Sequence, residues 1–173
     1  MTRGSRGFSL LEVLLVLAVL GTMTVIAVPT LNEGMRRQRL AGAVRTVTQQ
    51  VSTARLQAVN TNRRMRVRLN CPAANQLRVV EVTGNALVDN AADRCSEAAY
   101  PYPDLNPAAR PDLDGPVIRL PAGVRFLAVQ NLELNTRGNV TALAGGLPAF
   151  IEVTDGVETR RVRITAAGQL QIQ

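Results

Sequence analysis

Residues 8–28 read FSLLEVLLVLAVLGTMTVIAV, an apolar run interrupted by one ionisable side chain, Glu12. A helix crossing a bilayer needs about 20 such residues, so this stretch predicts a transmembrane helix. It is longer than the ~7–15-residue apolar core of a secretory signal, and no Ala-x-Ala site follows it. Two features set it apart from a plain anchor. The tail ahead of it, Met1-Thr2-Arg3-Gly4-Ser5-Arg6-Gly7, is short, basic and ends in glycine. Glu12 lies one turn into the span, where an ionised carboxylate at the bilayer centre costs about 2.5–3.5 kcal/mol on insertion scales. A charge that costly calls for a partner. Cutting the chain after Gly7 would supply one, a free α-amine on Phe8, with Glu12 at i+4 on the same helix face. Opposite charges in hydrocarbon offset each other's desolvation, within one helix or between neighbours.

Downstream, Pro29 lacks an N–H and disfavours helix at Val28, which predicts a bend or local melting there. Helical periodicity then resumes. Leu40, Val44, Val47, Val51, Ala54 and Ala58 step by four and three into one apolar stripe, with Arg36, Arg37, Arg39, Arg45 and Arg55 mainly off it. One long helix is therefore expected, membrane-embedded in its first half and amphipathic in its second. From Phe8 to Asn60 it would reach about 80 Å. Asn60-Thr61-Asn62 ends it, at about residue 62.

The period then changes from 3.6 to 2. Met65, Val67 and Leu69 alternate with Arg66 and Arg68, and Leu77–Thr83 is a β-branched run. Val117–Leu120, Val124–Val129 and Leu132–Leu134 are shorter strand candidates. Ala149–Thr154 and Glu158–Thr165 flank Asp155-Gly156, a hairpin signal. Gly168 permits one more turn, with Leu170 and Ile172 facing inward on a last strand. The expected fold class is α+β, a long N-terminal helix packed on an antiparallel β-sheet domain.

Composition narrows the function classes. The 173-residue chain suits one compact domain that can bury roughly 70% of its unfolded surface. It has no His and no Lys, and all 20 basic residues are Arg. Imidazole acid–base chemistry, Ser-His-Asp and Cys-His machinery and HExxH zinc sites are excluded. An enzyme is not expected, nor a cofactor. With two Cys and no His, a metal site is not expected either. The net charge of +7 permits an anionic partner without demanding one.

Gly7-Phe8-Ser9-Leu10-Leu11-Glu12 and the run after it resemble the class III signal of type IV pilins and type II secretion pseudopilins. The resemblance implies a leader peptide, 1–7, removed by a prepilin peptidase between Gly7 and Phe8, and N-methylation of Phe8. It implies that Glu12 pairs with the α-amine of an adjacent subunit during filament assembly. Gly21 and Pro29 also fall where such proteins place a helix-softening Gly and a Pro. Charge alone leaves orientation undecided, since Arg3 and Arg6 are matched by Arg36, Arg37 and Arg39 beyond the span. The family implies a bacterial inner-membrane protein, N-terminus cytoplasmic, with 29–173 forming an extracytoplasmic pilin-like domain that ends in a periplasmic or cell-surface filament. Its implied partners are other pilins or pseudopilins, met through the N-terminal helix, the peptidase and inner-membrane lipid.

Ala54-Arg55-Leu56-Gln57-Ala58-Val59, then Val67-Arg68-Leu69 and Cys71, with Arg137-Gly138 and Gly168 further on, are similar to the pattern of GspH/FimT-type minor pilins. With the signal segment, the resemblance covers most of the chain apart from 84–116. It implies a structural subunit of a type IV pilus or a type II secretion pseudopilus. The alternative is a DNA-binding minor pilin for uptake in natural transformation, and a third reading is an anchored periplasmic domain that never polymerises.

Placed outside the cytoplasm, Cys71 and Cys95 are expected to form a disulfide worth about 3 kcal/mol; the alternative is two separate buried thiols. Loop 84–116 carries five prolines and five aspartates and reads as a surface loop. Within it Asp112-Leu113-Asp114-Gly115 is a weak calcium candidate lacking the full EF-hand ligand series. Two arginine sets could hold phosphate: Arg63, Arg64, Arg66 and Arg68, and Arg160, Arg161 and Arg163. Arg161 and Arg163 share one strand face and are the DNA-contact candidates. Some FimT-type pilins bind DNA through a C-terminal Gly-Arg-x-Arg; here Gly168-Gln169-Leu170-Gln171 replaces both arginines, so DNA binding is not favoured.

Overall fold

The computed structural model describes residues 9–103, 110–128, 130–143 and 145–173, without the side chains of Val25, Ile26, Ala27, Pro29 and Ala128. Helix α1 spans Leu10–Thr61. The carbonyl of Ser9 opens it, accepting from the Glu12 and Val13 N–H groups at 3.0 and 3.2 Å. Glu12 in the first turn suits the positive end of the helix dipole. Asn62, in the left-handed region at φ 53°, stops it, and the Arg63 N–H returns to the Ala58 carbonyl at 3.2 Å. The local melting expected at Pro29 does not occur: α1 is assigned without interruption there, so the single donor that proline lacks does not break the ladder.

The chain divides into two units, Met1–Gln38 and Arg39–Gln173. In the first, the apolar side chains from Leu10 to Leu20 are exposed. The hydroxyls of Thr22 and Thr24 donate to the carbonyls of Val19 and Leu20, both at 2.8 Å, so neither is left unpaired on this apolar surface. The span expected over 8–28 lies only partly within the described residues, since Phe8 and three side chains fall outside them. Among the described residues, no helix is long and apolar enough to cross a membrane.

In the second unit the remainder of α1 meets two antiparallel sheets, where the alternating patterns had suggested one. After α1 come β1 (Arg64–Leu69), β2 (Gln76–Val82), the short helix α2 (Ala86–Asp89), β3 (Ile118–Arg119), β4 (Arg125–Ala128) and β5 (Leu132–Leu134). Then follow β6 (Val140–Ala142), β7 (Ala149–Thr154), β8 (Thr159–Ile164) and β9 (Leu170–Ile172). One sheet has the order β3-β2-β1-β5-β6 and the other β4-β7-β8-β9. The Val140 N–H reaches the Ala166 carbonyl at 2.8 Å, linking the first sheet to the turn before β9.

All six stripe residues expected on α1, joined by Ala43, are buried in one core with Met65, Val67, Leu77 and Val79 of the first sheet and Ile151, Val153, Val162 and Ile164 of the second. The Asp155-Gly156 hairpin joins β7 to β8 with Thr154 opposite Thr159. The last strand departs from expectation. Leu170 is partly buried against the core, but Ile172 is 52% exposed, because β9 is a short edge strand with only β8 beside it.

Gly138 and Gly168 bring two distant turns against the helix at Arg55. Both have positive φ, 77° and 73°. A Cβ on Gly168 would lie 2.9 Å from the Gly138 carbonyl oxygen and 3.1 Å from Arg55 Nε; one on Gly138 would lie 3.0 Å from the same Nε. The Arg55 side chain thus lies across two glycine turns, one from each sheet. Gly168→Ala is therefore expected to cost about 1–3 kcal/mol in denaturant unfolding. Gly42→Ala, with nothing within 4 Å of its added methyl and a helical backbone, should be neutral or stabilising by up to ~1 kcal/mol. Equal effects of the two would contradict the packing role of Gly168.

Candidate functional site

The processing candidates Gly7 and Phe8 lie outside the described residues. Glu12 lies within them, on exposed helix. Its side chain lines a shallow hollow of about 280 Å³ with Val13, Val16 and Leu17, and no partner for its carboxylate is found among the described residues. A carboxylate set in an apolar wall is suited to a cation brought in by another chain.

On the folded unit, a groove of about 370 Å³ is lined by Ser52, Arg55, Leu56, Val59 and Gly168. Leu56 and Val59 project from α1 off the core stripe and are exposed. The glycine turns below them leave room for the groove.

The DNA candidates are largely committed within the fold. Arg161 pairs with Glu152 at 2.5 Å and lies 5.3 Å from the centroid of the Phe150 ring. Arg163 is half-buried, opposite Gln171 on β9. Arg160 pairs with Glu158 at 2.7 Å. In the other set, Arg64 and Arg66 share Glu133, each at 3.1 Å. Arg64, Arg66, Arg160 and Arg161 thus each face a carboxylate.

Cys71 and Cys95 are joined, with Cα atoms 5.6 Å apart across a separation of 24 residues, within the usual disulfide range. The bond fastens loop 84–116 to the end of β1. The described part of the loop is largely exposed, as the sequence suggests, but it is pinned at a few buried points. Asp89, Arg94, Cys95 and Asp114 within it are buried. Asp89 accepts the Thr83 N–H at 2.8 Å, the Thr83 hydroxyl at 2.9 Å and the Gly84 N–H at 2.9 Å. Asp114 pairs with buried Arg94 and accepts the Glu81 N–H at 2.8 Å. The Gly115 N–H reaches the Val79 carbonyl at 2.9 Å, so the loop returns beside β2 just beyond its pairing with β3.

Asp112 pairs with Arg63, which also faces both Glu81 oxygens at 3.4 Å. Both calcium candidates, Asp112 and Asp114, are thus held by guanidinium groups. Among the described residues no cluster of His, Cys, Asp or Glu could hold a metal ion.

Glu81 is buried, its carboxylate accepting the Asp112 N–H at 3.1 Å. Burial pushes its pKa up, outweighing that bond and Arg63. Burial also pushes Asp112 up, but its bonds with Glu81 and Arg63 together hold it below the usual carboxylate value. Sequence reading places Arg63 in an arginine set and Asp114 in a calcium candidate, names neither Glu81 nor Arg94, and does not bring the four together. The one available signal was β2 itself, whose Leu77–Thr83 run lacks alternation because both of its faces are covered.

Residues 2–28 match the family model of the prokaryotic N-terminal methylation motif. The fold is similar to that of the type IV minor pilin FimU of Pseudomonas aeruginosa. A crystal structure in space group P21 has a TM-score of 0.50 at 15% identity, covering 79% of this chain and 90% of that one. A second, in P65, has a TM-score of 0.46 at 14% identity, covering 78% and 92%. No curated protein matches the chain in sequence. The chain thus carries a methylation motif ahead of a pilin-like α+β fold.

The coupled carboxyls give opposite pH signatures. Because the folded pKa of Glu81 is raised, its contribution to stability is complete below the unfolded value of about 4.3 and is lost as pH rises through the folded value. That of Asp112, which is lowered, is present above about 3.9 and lost as pH falls through its folded value. Glu81→Gln keeps an acceptor for the Asp112 N–H without a buried charge. Its stability relative to wild type should improve from pH 4 to pH 8 in urea titrations. A pH-independent difference would contradict the assignment.

Proposed function

We propose that this chain is a minor pilin or pseudopilin of the GspH/FimT type, a structural subunit of a type IV pilus or a type II secretion pseudopilus. The observation that carries this reading is the methylation-motif match over residues 2–28. In this reading residues 1–7 are a leader, a prepilin peptidase cuts between Gly7 and Phe8, and Phe8 is methylated. The span from 8 to 28 holds the precursor in the bacterial inner membrane, N-terminus cytoplasmic, with 29–173 outside. Exposed apolar side chains along Leu10–Leu20 suit lipid first and neighbouring helices after assembly. Glu12, in its apolar hollow, takes the α-amine of an adjacent subunit. The disulfide suits an oxidising extracytoplasmic setting.

Nothing in this reading needs catalysis. The DNA-receptor alternative is not favoured: of its two candidates, Arg161 faces Glu152 and Arg163 is half-buried.

Mass spectrometry of the chain from cells with an active prepilin peptidase should find a mature N-terminus at Phe8, heavier by one methyl group. A chain retaining Met1–Gly7 would overturn the proposal.

A further inference from the structure

The outer face of the first sheet carries a charge imbalance that the pilin reading does not use. Across the β1–β2 pair, Arg68 lies directly opposite Arg78, a placement of like charges that destabilises a sheet. The loop covers them. Arg78 is fully buried; its Nε donates to the Gly115 carbonyl at 2.7 Å and its Nη2 to the Tyr100 carbonyl at 2.6 Å. Arg94 is also fully buried, 4.5 Å from the centroid of the Tyr100 ring. Its Nη2 donates to the Glu81 carbonyl at 2.9 Å and to Asp114 at 2.7 Å.

Each guanidinium keeps a buried nitrogen with no hydrogen-bond partner: Arg68 Nη1, Arg78 Nη1 and Arg94 Nε. The carboxylates nearby do not close the account. Asp114 is spent on Arg94, Glu133 is shared by Arg64 and Arg66, and Glu97 is exposed and takes the Val117 N–H at 2.8 Å. Buried donors in native proteins are nearly always paired, and an exception points to an ordered water or ion.

We propose that this covered face binds one small monovalent inorganic anion, of the halide class, held by Arg68 Nη1 and Arg78 Nη1 beside Arg94. A water could accept these bonds but would leave the positive charge unbalanced. With the unpaired nitrogens buried, a small spherical anion is more readily enclosed than a larger oxyanion. Burial, with the neighbouring Arg66 and Arg94, lowers the pKa of Arg68; burial lowers that of Arg78, outweighing Asp114 and Glu97; a bound anion opposes both effects. The anion would serve to pin the loop against β1 and β2.

The test is thermal unfolding of the full chain in a non-ionic detergent, at constant ionic strength, with gluconate replaced stepwise by chloride or bromide. Tm should rise by about 3–5 °C and saturate by roughly 100 mM halide, and sulfate should not reproduce the rise. Arg68→Met, which removes one donor and leaves Arg78 and Arg94 in place, should abolish the halide response. Crystals grown in bromide supply a second readout that needs no variant, an anomalous peak between Arg68 and Arg78. A wild-type Tm indifferent to halide, an equal response in Arg68→Met, or no anomalous peak would each overturn the proposal.

Discussion

Burial of one apolar stripe on α1 is the constraint from which the folded unit follows. Leu40, Ala43, Val44, Val47, Val51, Ala54 and Ala58 are all at most 3% exposed, and they belong to the same core as the inward residues of both sheets. Three of them are alanine, small enough to let strands approach the helix closely. At positions where the stripe gives way to the outer face, Arg55 lies over Gly138 and Gly168. The helix thereby serves as the common wall of two sheets that share no strand.

What was legible in the sequence was local. The stripe follows from spacing alone, and the strands at Arg64–Leu69, Ala149–Thr154 and Thr159–Ile164 follow from alternation and an Asp-Gly turn. Which strands pair is not a local property. Alternation marks a strand with one buried face but does not say which sheet it joins, so the split into two sheets stayed hidden. The melting expected at Pro29 fails for a related reason: its missing N–H removes one bond, while the rest of a long helix continues around it.

The charged residues of loop 84–116 illustrate the opposite limit. In sequence, Asp112 and Asp114 read as part of a surface loop and a weak calcium candidate, and nothing marks Arg94. In the fold they meet Arg63, Glu81 and one another beneath a segment tied down by Cys71–Cys95. Burial of charge requires partners distant in sequence, and no periodicity announces them. The N-terminal segment, by contrast, is read from a short run of residues around Glu12.

An apolar, exposed helix start bearing one carboxylate and a compact disulfide-tied unit are the parts a filament subunit needs, one for packing and one for display. The central claim is that the chain enters filaments through Glu12. Its most direct test is quantitative mass spectrometry of sheared, purified pili or pseudopili from cells making either the wild-type chain or Glu12→Val. The account predicts wild-type peptides from residues 39–173 at a low ratio to the major subunit, with the Glu12→Val chain depleted at least tenfold but present in the membrane fraction. Wild-type chain confined to membranes, or equal incorporation of both chains, would contradict it.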